Sequence, residues 1–355
     1  MRHSPITRLF QVLSVFLLAM LVAGGGLAAE TPYRIGVLYW SMNIPGQVAM
    51  RKGLEQEAAR INRKAAQQGR RGVELVARVA GDGTAGVERQ IQQMFELIHL
   101  RPDVIIVQPT DNAALAAPLK AANQAGIPVI AYDQYISGGK LTAYITSDNH
   151  QAGYLNGEFI AARFPGPRPL RLVLVEYPLV SSTVERLNGF LEALRDLGRP
   201  YTVLKTYQAV EPEAGRAAGR AILRDFPKPG SIDVVFTVND GGGLSVVDVL
   251  AKAGRKEIVV ASIDGDPASV ENIRAGRLTA IDSAQFCGPL GAEAMKAAYA
   301  TARGETVPRK ILVPVFPVTL DTLSRYPGWA GPIPAAFQKP WPAPRPVWRN
   351  QPVVD

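Results

Sequence analysis

The feature that most constrains this chain is the exchange between two hydrophobic periods along its length. Short apolar runs, Ile35–Leu38, Val73–Val79, Val104–Val107, Val129–Tyr132, Leu172–Val175, Val234–Val238 and Ile258–Ile263, alternate with longer stretches of helical period. Several runs are continuously apolar, as in strands covered on both faces of a parallel sheet. Between them, Val87, Ile91, Met94, Phe95 and Ile98 recur at three and four and place one stripe on one helix face. Ser182 with Glu185 spells a capping box at the start of the helix carrying Phe190, Leu191 and Leu194. Strand, helix and strand at intervals of roughly 25 to 35 residues predict an α/β fold. About four units precede Ile136–Lys140 and three or four follow it, with Gly138–Gly139 and the triplet Ser147–Asn149 between them. Two lobes of similar size follow, and 355 residues suffice for two cores.

The two ends read differently. Arg2, His3 and Arg8 precede the apolar stretch Leu13–Val22, which runs into Gly24–Gly26 and the small residues Ala28 and Ala29. A basic head, a short apolar middle and a small-residue exit describe a secretory signal over 1–29. The apolar stretch is shorter than the ~20 residues a membrane span needs, so the mature chain is expected to be soluble, without a span, and outside the cytoplasm. At the far end, residues 326–355 hold eight prolines and Trp329, Trp341 and Trp348. Such proline density forbids regular helix or central strand, so this tail is expected to lie extended on the surface, held by its aromatics.

Composition narrows the chemistry. The formal charge is +8, or +6 without Arg2 and Arg8, and the positive residues are scattered, which argues against a nucleic-acid surface. Cys287 is the single cysteine, so no internal disulfide can form; it reads as a buried structural thiol. Outside the leader only His99 and His150 remain as imidazoles, and no HExxH, CxxC or Gly-x-Ser-x-Gly string occurs. A metal centre or a histidine-assisted nucleophile would lack its parts. Gly81-Asp-Gly-Thr-Ala-Gly86 matches GxGxxG, but it follows the second strand, not the first, and an exported chain meets little nicotinamide cofactor. It reads as a strand-to-helix turn in which glycine permits positive φ, and no cofactor is expected. Gly241–Gly243 also follows a strand and opens a helix whose amides could hold an anion.

Ligands of open parallel sheets sit beyond the carboxyl ends of the strands. Those ends carry Asn43, Asp133 with Gln134, Asn239 with Asp240, Asp264 and Gln285, while Arg186 lies in the first turns of the helix after Leu172–Val175. Each acid or amide alone is an ordinary turn former or helix cap. Their recurrence in both halves makes a set of carboxylates, amides and one guanidinium that suits a guest dense in hydroxyls.

At these residues the stretch Tyr33–Thr322 resembles the periplasmic sugar-binding proteins of the ribose-binding type, which serve ABC transporters. PVIAYD (Pro128–Asp133), SDN (Ser147–Asn149), ERLNGF (Glu185–Phe190), FTVND (Phe236–Asp240) and SIDGDP (Ser262–Pro267) stand in that family's order and spacing. The resemblance implies two Rossmann-like lobes, 30–147 with 286–313 and 148–285 with 314–323, joined by three crossovers, with 324–355 as a separate tail. It places Asn43, Asp133, Asn149, Arg186, Asn239, Asp264 and Gln285 on ligand-binding positions, and it implies a monomer that closes around its ligand by hinge motion. Gly46 and Gln47 stand where such proteins carry stacking aromatics, Gln134 where they carry arginine, and Val210 or Glu211 where another aromatic is expected. Trp40, Tyr39, Tyr135 or Tyr177 could supply a platform instead. The altered set points to a smaller or acyclic polyol, or another hydroxylated solute, rather than ribose or glucose. The function implied is binding without catalysis and delivery to a permease; a sensory receptor read by a histidine kinase or chemoreceptor is the alternative. A repressor with a similar core is disfavoured by the leader, and an oxidoreductase by the lack of a histidine at any strand end.

Overall fold

The computed structural model describes residues 31–355; the leader reading, 1–29, lies outside them. The apolar runs become strands of two sheets. In the first, β1 (Tyr33–Tyr39), β2 (Val73–Val79), β3 (Val104–Val107), β4 (Val129–Tyr132) and β5 (Ala143–Ser147) are parallel in the order β2-β1-β3-β4-β5. In the second, β6 (Leu170–Glu176), β7 (Tyr201–Gln208), β8 (Val234–Thr237), β9 (Val259–Asp264) and β10 (Thr279–Ala284) are parallel in the order β7-β6-β8-β9-β10. Strand β11 (Lys310–Val313) returns to the first sheet beside β5, and β12 (Phe316–Val318) closes the second, antiparallel to β10. The chain thus passes between the sheets after β5, after β10 and after β11.

Helices α1 (Pro45–Gln67), α2 (Gly83–His99), α3 (Ala116–Gln124) and α9 (Cys287–Ala302) flank the first sheet. Helices α4 (Asn149–Arg163), α5 (Ser181–Asp196), α6 (Pro212–Asp225), α7 (Asp240–Lys252) and α8 (Pro267–Arg274) flank the second. The outer cores, around Leu97, Leu119 and Ile105 in one lobe and Ile222, Val246 and Val235 in the other, are separate; the inner faces merge through the crossovers into one cluster. Two glycines set the closest helix contact. A Cβ on Gly153 of α4 would stand 1.8 Å from the carbonyl oxygen of Arg186, and one on Gly189 of α5 would stand 2.1 Å from that of His150. Only glycine permits this approach, and it brings the Arg186 turn hard against α4.

The expected capping box does not form. Helix α5 starts at Ser181 after an extended Val180 that gives no side-chain cap, so Ser182 lies inside the first turn. In the GxGxxG stretch, Gly81 and Gly83 have φ of +88° and +63°, the positive values a strand-to-helix turn needs.

After Val318 the tail forms a short 3₁₀ turn and three two-residue strands, β13 (Phe337–Gln338), β14 (Val347–Trp348) and β15 (Val353–Val354). Trp348 is 2% exposed, packs on Phe316 and Phe337, and donates from Nε1 to Val315 O at 2.7 Å. Lys339 Nζ and Trp341 Nε1 both reach Glu158 Oε1 on α4, at 2.5 and 2.8 Å, with all three side chains buried. The tail then returns to the first lobe, where β15 adds an antiparallel edge to β11.

Candidate ligand-binding cleft

The ends of β1, β4, β8 and β9 and the start of α5 converge on one cleft between the lobes. Trp40, Gln47, Asp133 and Gln134 line it from the first lobe, Ser182, Arg186, Asn239 and Asp264 from the second, and Gln285 from the second crossover.

Arg186 is 2% exposed and held from three sides. Its Nε donates to Asn149 Oδ1 at 2.9 Å, and its Nη1 donates to Val238 O at 2.9 Å and to Asp264 Oδ1 at 3.0 Å. Nη2 has no hydrogen-bond partner among the described residues. Asp264 Oδ1 also accepts Gln285 Nε2 at 2.5 Å, and Oδ2 accepts the amide of Asp240 at 3.3 Å, in the first turn of α7. The anion at that glycine-rich helix start is therefore the protein's own carboxylate. Burial pushes the Asp264 carboxyl up, while Arg186 and the hydrogen bond from Gln285 hold it back. Across the cleft, Asp133 is 4% exposed and its Oδ2 accepts Gln108 Nε2 at 2.9 Å. Burial raises this carboxyl too, with Arg186 and Gln108 acting against it. Both acids sit at positive φ, +66° for Asp133 and +137° for Asp264.

The structure separates the sequence-derived residues into groups. Asp133, Gln134, Arg186, Asn239, Asp264, Gln285 and Trp40 line the cleft. Asn239 and Gln285 are spent on the protein: Asn239 caps α7 and donates to Val210 O at 3.0 Å, and Gln285 bridges Ser147 and Asp264. Asn149 lies behind the cleft, where its Oδ1 orients Arg186 and its Nδ2 donates to Thr146 Oγ1 at 2.9 Å. Asn43 is a correction. It is exposed on the surface, and its amide donates to Asp82 Oδ2 at 2.7 Å, while Trp40 and Gln47 of the same stretch line the cleft. Trp40 is 3% exposed and is the aromatic ring among the lining residues, whereas Tyr135 is 41% exposed and does not line the cleft.

Sequence reasoning missed Gln108 and Ser182. Gln108, at the end of β3, orients Asp133 and receives the amide of Trp40 at 3.3 Å; its position after an apolar strand was the available signal. Ser182, a lining residue, is 1% exposed, and its buried Oγ has no hydrogen-bond partner among the described residues. Its capping-box spacing concealed it.

The lobes also touch directly. Ser181 N donates to Asn112 Oδ1 and Tyr135 N to Ser181 Oγ, each at 2.9 Å; Ser182 N reaches Gln134 Oε1 at 3.1 Å and Gly83 N reaches Glu211 Oε1 at 3.1 Å. The cavity between the lobes is about 30 Å³.

Beneath Asp264 lie two more buried carboxyls. Asp240 accepts Ser262 Oγ at 2.6 Å and Asp266 N at 2.8 Å; Asp282 Oδ1 accepts Gly265 N at 2.9 Å and Oδ2 has no partner among the described residues. Burial and the neighbouring Asp282 push Asp240 well above the carboxylate range. Burial pushes Asp282 up to about 6.

The chain is 26% identical over 304 residues to the ribose import binding protein of Escherichia coli, covering 85% of this chain and 95% of that one. An ABC transporter solute-binding protein from Agrobacterium vitis, solved with α-D-tagatopyranose, is 25% identical with a TM-score of 0.69, covering 82% of this chain and 96% of that one. A solute-binding protein from Bacillus halodurans with bound myo-inositol shares the fold at 23% identity and a TM-score of 0.72, covering 84% and 98%. The family model described as periplasmic binding protein domain matches residues 35–306. On that match the chain belongs to the periplasmic binding protein family.

Proposed function

We propose that this chain is a periplasmic receptor that captures a neutral sugar or polyol between its lobes and hands it to an ABC permease. One observation carries the reading: the buried Arg186–Asp264 pair of one lobe faces Asp133 of the other across a single cleft, beside an unpartnered Ser182 hydroxyl. Carboxylates accept and a guanidinium donates hydrogen bonds to hydroxyls, a chemistry that suits a neutral guest. A hydroxyl left unpaired on closure costs about 1–3 kcal/mol, so the hydrogen-bond pattern selects the solute. The ribose, tagatose and inositol named for the similar proteins support that chemical class, and their import roles support transport over sensing. Trp40 is the ring available for stacking, and the aliphatic Ile44, Met50, Val180 and Val210 complete a narrow wall, which favours a small solute. The lobe boundaries 30–147 with 286–313 and 148–285 with 314–323, the leader 1–29 and a monomeric state belong to the same proposal. Among the described residues no helix is long and apolar enough to cross a membrane.

A thermal-shift screen over pentoses, hexoses and polyols tests it, because a ligand stabilises by RT ln(1 + [L]/Kd). A hit whose affinity drops at least tenfold in both Asp264→Asn and Asp133→Asn, with circular dichroism unchanged, is the expected result. Full affinity in both variants overturns the site.

A further inference from the structure

The tail lies beyond the stretch that the family model matches, which ends at residue 306, yet it reaches the back of the cleft. Trp329 Nε1 donates to the carbonyl oxygen of Asp264 at 2.6 Å, and the amide of Gln285 donates to the same oxygen at 2.9 Å. The hydroxyl of Tyr326 reaches Gly265 O at 3.3 Å and Gln285 O at 3.5 Å. Trp329 is tied to the other lobe as well. Its own carbonyl accepts Gly288 N at 3.0 Å in the first turn of α9, and its ring edge lies 3.8 Å from where a Cβ on Gly46 of α1 would stand.

Asp264 needs such support. Its φ of +137° is one that non-glycine residues rarely adopt, and a conformation of that kind persists only where the surroundings over-determine it. Two donors on its carbonyl, with Asp282 on the following amide, supply that restraint. If the peptide relaxed, the carboxylate would turn away from Arg186 and Gln285, the partners that aim it at the cleft.

We propose that Trp329 is a positioning residue for solute binding: without lining the cleft, it fixes Asp264 from behind and so makes the tail part of the binding apparatus. This rests on the receptor reading above. The test is calorimetric titration of wild type, Trp329→Phe, Tyr326→Phe, Trp341→Phe and Asp264→Asn with D-ribose, D-tagatose, myo-inositol and xylitol. Trp329→Phe keeps a ring but loses the donor; its Kd should rise about fivefold, the worth of one net hydrogen bond, and unequally across the panel. Tyr326→Phe, which deletes the neighbouring hydroxyl, should move Kd in the same direction and serves if Trp329→Phe does not fold. Trp341→Phe, whose indole meets Glu158 instead, should lower the melting temperature and leave Kd within twofold. Wild-type affinity and selectivity in both Trp329→Phe and Tyr326→Phe, with binding lost in Asp264→Asn, overturns the positioning role and leaves the receptor intact. Undiminished binding by Asp264→Asn, or no binding by wild type, removes the receptor reading and this inference with it.

Discussion

Replacing Arg186 by methionine keeps the length of the stem and deletes the guanidinium. Three hydrogen bonds disappear, to Asn149 Oδ1, Val238 O and Asp264 Oδ1. Removing one partner of a buried ion pair costs about 3–5 kcal/mol, because the other charge stays buried without compensation. Asp264 keeps Gln285 Nε2 and the Asp240 amide, which places the expected loss near the lower end, about 3 kcal/mol. The cost must also depend on pH. Burial already raises the Asp264 carboxyl, and without Arg186 it rises further. A group whose folded pKa exceeds its unfolded value contributes stability that is present below the unfolded value and lost as pH climbs through the folded one. The variant's deficit is therefore larger at pH 8 than at pH 4.5. Urea unfolding followed by far-UV circular dichroism at the two pH values measures it, and Arg186→Met with Asp264→Asn should recover much of the loss. A deficit under about 1 kcal/mol, the range of an exposed ion pair, or one equal at both pH values, would refute the assignment of Arg186 as the counter-charge.

Three further outcomes follow from the same coordinates. Ser182→Ala should weaken solute binding about fivefold to tenfold with no loss of thermal stability, since the hydroxyl has no partner among the described residues; calorimetry and differential scanning calorimetry separate the two effects. Asp282→Asn should stabilise the fold at pH 7.5 by on the order of 2 kcal/mol and change little at pH 4, because the wild-type group loses stability between its ordinary range and about 6; urea midpoints across that window check the sign. Glu158→Ala leaves the Lys339 ammonium buried without its partner and should release the tail, seen as rapid proteolysis after residue 326 while 33–318 stays protected.

The continuous apolar runs were legible because strands buried on both faces admit little else, and β3, β4 and β8 carry four fully buried residues each. Strand β5 was not, since Thr146 and Ser147 are polar and yet buried, their hydroxyls bound to the Asp133 carbonyl and to Gln285. Edge strand β7 was missed for the opposite reason: it leaves most of its length half or fully exposed. Of the cleft, the residues at strand ends could be named because topology fixes where a parallel strand delivers its next side chain. What spacing could not show is which of them spend both ends on their neighbours, as Asn239 does, or that Asn43 turns outward. The tail's aromatics announced anchoring, but nothing local ties an indole at 329 to a carbonyl sixty-five residues earlier.

Strand β15 covers β11, whose Ile311, Leu312 and Val313 would otherwise present an open row of amides and carbonyls at a sheet margin. Such a margin recruits strands from other molecules and seeds aggregation, and a two-residue cover preceded by Pro352 is too short to recruit one in turn. What residues 350–355 protect is colloidal behaviour: their removal should register in light scattering before it alters any binding isotherm.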